Sequence, residues 1–408
     1  MSTTTTPDAQ AAAPASNTLA TLDSQYYNAL VAQLHMDPSS FQLAQGAISL
    51  GTDSSSIWNF FDSIPPVSLS RSWDSSGFNN LALAYGGVIN NLVPQTSNAM
   101  QALLGDKYVS WQAYRSNSSN IPSPLPKLAN GQIDFVGIQV TMFETWGIAQ
   151  LDAGQIQSGV TLLGQTDVVS VANTMYNAAK GVYPFTATYG DVQNAHSIPG
   201  SISFNSSNYS SDTSHAWAQA EASGFFDFFS GGASGSWSQF NQQVESDGVT
   251  VSISFQKVIT LPGLPLATLQ NVDPELSSYV PWFDGEALHV AQQHNDNTVW
   301  KPSAPTWADT FGPDGNLLRL TTQLIVVDGV DITIETNFAV SSDDQTEINA
   351  SYHAGFWPFF STSGSGGWTH DHPTYSSSGA TFHSSTVLGN PQVLGVTVSP
   401  IDTVFNNG

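Results

Sequence analysis

Hydrophobic positions along this chain follow two different periods, and the change comes near Gly181. Leu19, Leu22, Tyr26, Leu30 and Leu34 fall on one helical stripe, and a second helix is expected after Asp37-Pro38. Phe78, Leu81, Leu83, Val88 and Leu92 predict a buried helix over 79–93 despite Gly86-Gly87. Ser97 is placed to cap a short helix through Leu104, Ile121–Pro126 reads as an extended link, and helices return around 142–162 and 166–180. From about 200 onward the pattern predicts short strands separated by Gly, Asp and Ser turns. Val249–Phe255 alternates strictly, and Leu324–Val327 and Asp331–Ile334 flank a turn expected at Asp328-Gly329. Pro313–Asn316 is a further turn signal. The fold class expected is α+β: an arm over 1–17, a mainly helical region over 18–185, and a β-rich, sandwich-like antiparallel region over 186–408.

The β-rich region contains an internal duplication. Residues 210–252 align with 341–383 at a constant offset of 131, without a gap, and 14 of 43 positions are identical. The aromatic residues stay in register: Phe225, Phe226, Phe228, Phe229 and Trp237 match Phe356, Trp357, Phe359, Phe360 and Trp368. Shared Ser and Gly could arise from composition alone, whereas matched aromatics could not. Each copy reads as an aromatic strand, a Gly/Ser turn and a Trp-bearing return. In the first copy Ala216, Ala218, Ala220, Ala222, Gly224, Phe226 and Phe228 share one face, opposite His215, Trp217, Gln219, Glu221 and Asp227.

That alternation fits a sheet packed on a core by one side. It also fits a membrane-inserting hairpin, whose strands need about 9–11 residues of apolar-out, polar-in order. The return over 237–247 lacks clean alternation, and the second copy carries Pro358 and His370-Asp371-His372, which favours the core sheet.

Charge then narrows the partners. With 8 Lys plus Arg against 32 Asp plus Glu, the net charge is −24, so nothing could neutralise a run of nucleic-acid phosphates. No cysteine is present, which excludes disulfides and thiolate sites. The first residues show no basic and apolar signal segment, yet scarce Lys and abundant Ser, Thr and Asn read as an extracellular or particle-surface protein. Strand edges without Lys lack a common defence against pairing, so a homo-oligomer or polymer is expected, and Trp and Tyr offer stacking surfaces for sugars.

Chemistry-bearing clusters are few. In a strand, His370 and His372 would present two imidazoles on one face, and with His353 and His383 they form the candidate set for a divalent metal. The pairs Asp343-Asp344, Asp328 with Asp331, and Asp309 with Asp314 are candidate Ca²⁺ ligands, although none has the spacing of a complete calcium loop. Glu286, His289 and His294 form an acid–base set after Pro281–Asp284, without the spacing of a His-Glu-x-x-His helix. The sequence-level expectation is therefore a non-enzymatic surface protein that acts by self-association or binding. A pore-forming toxin that inserts two β-hairpins is the alternative, and a metal- or carboxylate-dependent hydrolase is the third reading.

Overall fold

The computed structural model describes residues 17–405, apart from 67, 70–72, 74–79, 95–96, 130, 132, 165–167, 179–188, 206–237, 264–282 and 352–367. Among the described residues eight antiparallel strands form one sheet. They are β1 (Phe41–Ser49), β2 (Ile198–Asn205), β3 (Val249–Pro262), β4 (Arg319–Thr336), β5 (Trp368–His370), β6 (Thr374–Tyr375), β7 (Ala380–Thr386) and β8 (Gln392–Pro400). The spatial order is β1-β8-β4-β3-β2, while β7 also pairs with β4 and carries β5 and β6 on its outer edge. One side of β4 is thus shared: β8 pairs with Arg319–Val327 and β7 with Asp331–Glu335. The α+β class stands, with helices dominating the N-terminal part. β1 and the C-terminal helices show, however, that both parts of the chain build the same layers.

The helices are α1 (Asn17–Gln33), α2 (Ser54–Asp62), α3 (Leu81–Asn91), α4 (Ser97–Leu104), α5 (Tyr108–Arg115), α6 (Phe135–Gly147), α7 (Ala153–Leu163), α8 (Val168–Ala178), α9 (Tyr189–Asn194), α10 (Ser238–Asp247), α11 (Gly285–Gln293), α12 (Trp307–Phe311), α13 (Ser342–Ser351) and α14 (Ile401–Phe405). Where a helix was expected after Pro38 the chain forms β1 instead. Phe41 and Leu43 are buried there, and β8 supplies the ladder that a local helical signal would have had to outweigh. The C-terminal strands are also longer than expected, at 14 residues for β3 and 18 for β4.

Asp328-Gly329 does not turn the chain. β3 and β4 stay paired from Val249↔Thr336 to Pro262↔Gln323 with no shift of register. Gly329 has φ +64, and a Cβ at that position would lie 2.8 Å from the Gln256 side chain. The glycine exchanges the faces of the strand rather than reversing it. Before it, Leu324 and Val326 enter one core and Ile325 and Val327 another; after it, Val330, Ile332 and Ile334 enter the second. A sequence signal of Asp-Gly between two alternating runs is common to both structures, so only long-range pairing separates them.

The first core lies between β3, β4 and β8 and helices α2, α3, α8 and α11, with Trp58, Trp73, Tyr85 and Leu324 buried in it. The second occupies the opposite face, where Tyr26, Tyr27 and Leu30 of α1, Phe240 and Val244 of α10, and Ile348 of α13 pack on the sheet. A third, smaller core joins α4–α7 around Trp111, Phe143 and Trp146, with the Trp111 and Phe143 rings edge-to-face at 5.0 Å.

The outer edge of β2 is covered by a side chain. Gln33, at the end of α1, donates from Nε2 to the Ser203 carbonyl (3.0 Å) and accepts from the Ser203 N–H through Oε1 (3.1 Å). Its amide imitates the peptide group of a neighbouring strand. β1 is covered likewise: the Trp73 N–H donates to Leu43 O (2.7 Å), and Gln42 Nε2 donates to Ser68 O (3.1 Å). Edge protection here comes from amide groups, not from lysine, which is why charge composition did not reveal it. Gln33→Ala is expected to accelerate hydrogen exchange at the Ser203 amide and to increase concentration-dependent association in sedimentation velocity; unchanged exchange would show that the amide does not guard this edge.

Candidate functional site: a polar sheet face bounded by two insertions

Four strand ends meet at one end of the sheet. Asn205 of β2 pairs with Thr250 of β3, Val249 of β3 with Thr336 of β4, and Glu335 of β4 with Thr381 of β7. Between β2 and β3 the chain inserts residues 206–248, and between β4 and β7 residues 337–379, which is 43 residues each time. Both insertions therefore leave and rejoin adjacent strands at the same end. The order there is β2-β3-β4-β7.

Among the described residues, this half of the sheet is covered on one side only. The second core takes Val249, Val251, Ile253 and Phe255 of β3 and Ile332 and Ile334 of β4. The other side presents Ser201 and Ser203, then Ser252 and Ser254, then Asp331 and Glu335, all exposed, with Thr333, Thr381, His383 and Ser385 half-buried among them. Cross-strand pairing sets these in rows, such as Ser203–Ser252–Thr333–His383. Hydroxyls lie close enough to bond across the rows, as between Ser203 and Ser252 (3.2 Å). None of the eight Lys and Arg residues falls within 198–256 or 329–386.

The imidazole of His383 lies between two carboxylates. Nε2 lies 2.9 Å from Asp331 Oδ2 and Nδ1 lies 2.6 Å from Asp371 Oδ2. The hydrogen bond with Asp331 is the largest effect and raises its pKa above the usual 6.5; burial opposes it, and the hydrogen bond with Asp371 adds to the rise. The Asp371 N–H also donates to the His383 carbonyl (3.1 Å). Of the His370-Asp371-His372 triplet it is thus the central carboxylate that reaches His383. His372 is exposed, and β5 ends at His370, so the strand does not carry the two imidazoles together. Among the described residues no group of three or more His, Asp or Glu side chains is arranged to hold a metal ion.

The remaining carboxylate pairs are used locally. Asp343 and Asp344 open α13, where Ser341 Oγ donates to Asp344 Oδ2 (2.6 Å). Asp309 closes a capping box with Thr306 at the start of α12. Asp328 is buried at the point where β4 changes neighbours. Its carboxylate accepts from the amides of Gly329 (2.9 Å), Gly389 (3.0 Å) and Asn390 (3.0 Å). Glu286 and His289 lie on α11, whose N-cap is Asp284; Ala287, Leu288 and Ala291 anchor that helix in the first core. His289 Nε2 is 2.7 Å from Gln293 Nε2, and His294 is the exposed C-cap. A pocket lined by Met100, Tyr108, Trp111 and Leu163 has about 10 Å³, room for a single water.

Of the duplicated aromatics, Trp368 is half-buried, begins β5, and packs against the second core. Phe225, Phe226, Phe228, Phe229, Trp237, Phe356, Trp357, Phe359 and Phe360, and also His353, lie outside the described residues. Where the aligned copies are described they differ. Ser238–Asp247 is a helix and Trp368–Tyr375 is mainly strand, so the return expected as a strand in both copies is one only in the second. No helix among the described residues is long and apolar enough to cross a membrane. In comparison with known proteins, the chain matches no family model, no curated protein and no solved structure.

Proposed function

We propose that this protein forms pores, its two insertions converting into β-hairpins that extend the strands they interrupt. The observation that carries this reading is phase. On β2 the even positions Ile202 and Phe204 face the second core and the odd positions are polar; counted on through the sequence, Ala216, Ala218, Ala220, Ala222, Gly224, Phe226 and Phe228 are also even. On β4, Ile332 and Ile334 are followed at even positions by Thr336, Phe338 and Val340, then by the polar Ser342, Asp344 and Thr346, and then by Ile348, Ala350, Tyr352, Ala354 and Phe356. The apolar runs at 216–228 and 348–356 would therefore turn one side toward lipid in phase with β2 and β4, with the polar even positions of 206–214 and 342–346 lying between them and the sheet, outside the bilayer. The 43-residue lengths hold two strands of about 10 residues and a turn, with residues to spare.

The duplication of 210–252 in 341–383 supports the same reading, because equivalent insertions then belong to equivalent pairs of strands. Helices α10 and α13, which lie inside the insertions, have the sequences SQFNQQVESD and SDDQTEINAS. Ser, Asn, Asp and Thr are weak helix formers, so these helices depend on packing through Phe240, Val244 and Ile348 and have little intrinsic stability to lose. The returning segments 237–247 and 368–379 show no alternation, and the outgoing strands would supply the apolar surface. Self-association, the first expectation from sequence, becomes the assembly step of the same process: extended edges pair between copies once they are uncovered. An extracellular site of action follows from this reading.

Dye release from lipid vesicles tests it. The wild-type protein is expected to release trapped dye. Ala218→Arg, on the side assigned to lipid, is expected to abolish release, since Arg near the bilayer midplane costs about 2–4 kcal/mol per strand. Gln219→Arg, one residue on and facing water, is expected to retain it. Circular dichroism of both variants checks that the starting fold is kept. Equal effects at 218 and 219, or no release by wild type, would remove the pore reading.

A further inference from the structure

The side chains of Asp331, His383 and Asp371 form one hydrogen-bonded cluster beside the polar sheet face. It joins three parts of the sheet. Asp331 belongs to β4, His383 to β7, and Asp371 to the strap formed by β5, β6 and the residues between them. That strap covers the outer edge of β7: Trp368–His370 pair with Ser384–Thr386, and Thr374-Tyr375 pair with Ala380-Thr381.

We propose that His383 is a proton-operated latch, closed while the imidazole is charged, which holds this strap over the β7 edge and so controls the release of the second insertion. The inference rests on the pore reading for its consequence, and on the described geometry for the latch itself. Among the described residues the ladder to β7 involves five strand residues of the strap, beside the Asp371 N–H bond to the His383 carbonyl and the packing of Trp368 and Tyr375 on the second core. A charged imidazole lies between two carboxylates and donates to both, one on the strap and one on the sheet. Deprotonation leaves a single N–H, so one of the two carboxylates must lose its bond and face an unshared nitrogen lone pair. Among the described residues the other titratable groups near His383 are Glu335 on β4, two residues beyond Thr333, which pairs with His383, and His370 and His372 on either side of Asp371; β3 presents Thr250, Ser252 and Ser254 here.

The direction follows from the raised pKa. A proton bound more tightly in the folded state than in the free side chain stabilises the closed strap fully below the ordinary value of 6.5. That contribution is lost as pH rises through the raised value. The latch therefore opens toward alkaline pH. In the first copy of the repeat the position aligned with His383 is Ser252 and that aligned with Asp371 is Phe240, so the first insertion lacks both side chains of this latch.

Hydrogen exchange of the purified full chain between about pH 6 and pH 9 tests the latch without a membrane. Protection of the strap amides, measured relative to β3 amides in the same molecule, is expected to fall several-fold across that range. His383→Gln is expected to show the low, alkaline level of protection throughout, with β3 unchanged. Vesicle leakage by wild type should rise over the same pH interval and lose its pH dependence in His383→Gln. Strap protection that is flat with pH in the wild type overturns the latch, whatever the leakage shows. Strap protection that follows pH while no leakage occurs at any pH keeps the latch and removes the pore reading.

Discussion

Oxidation of a Thr369→Cys/Ser385→Cys variant is expected to abolish vesicle leakage, and reduction is expected to restore it. Positions 369 and 385 are directly opposed in the β5–β7 ladder. Opposed residues of antiparallel strands lie about 4.5–5.5 Å apart at Cα, within the range that a disulfide spans. The chain has no cysteine of its own, so the engineered pair has no competitor. In the folded protein the strap doubles back along β7. In an extended hairpin residue 369 would sit 16 positions before residue 385 along one strand, about 50 Å away. A covalent link between them is compatible with the first arrangement and incompatible with the second. Leakage by the oxidised protein at the rate of the reduced one would show that the second insertion acts, if at all, without leaving β7. Because only the redox state changes, a folding defect in the variant would appear in both samples and be recognised.

Much of the helical region was legible because its signals are local. The stripe from Leu19 falls on α1, which ends at Gln33, the apolar run from Leu81 falls on α3, which ends at Asn91, and Ser97 opens α4. The failures share one cause. β1 forms after Pro38 because β8, some 350 residues later in the chain, offers Gln392–Thr397 as partners. Asp328-Gly329 lies inside a continuous strand because both flanking runs pair with the same strand, β3. Neither partner is visible in a window of neighbouring residues.

The site was legible only in part, for a similar reason. The alternation of 216–228 and the repeat at offset 131 could be read directly. Their significance under the pore reading depends on a fact that sequence does not contain: β2, β3, β4 and β7 end side by side. In sequence His383 reads as a metal-ligand candidate beside His353, His370 and His372. The structure gives it Asp331 and Asp371 instead, 52 and 12 residues away. Asp328 was read as a turn residue, and here the identity of the side chain mattered more than the turn.

Asp328→Ala is expected to be the most destabilising of the substitutions considered, by about 3–5 kcal/mol in urea unfolding, through three amide groups left without their acceptor. β4 must exchange one neighbour for another between Val327 and Asp331, and a fork in a sheet leaves backbone groups that no strand can satisfy. Asp328 accepts from Gly329, Gly389 and Asn390, and so ties the β7–β8 connection to the strand. Thr386 Oγ1 accepts from the Val330 N–H (2.9 Å) and fills the next position. Asp328→Asn keeps the shape but replaces one acceptor oxygen with a donor that faces amide donors, so a smaller loss of about 1–3 kcal/mol is expected. Gly329→Val attacks the same fork differently. A β-branched residue at φ +64 costs about 1–3 kcal/mol in backbone strain and also meets Gln256. The fork lies below the row where both insertions begin, and Gly329 sets which side of β4 faces the second core above it. A variant that folds with this glycine replaced is therefore expected to misdirect Ile332 and Ile334, and to lose leakage even under conditions where circular dichroism shows the sheet intact. Full leakage by folded Gly329→Val would show that the exchange of faces at this residue has no part in aligning the extended strands.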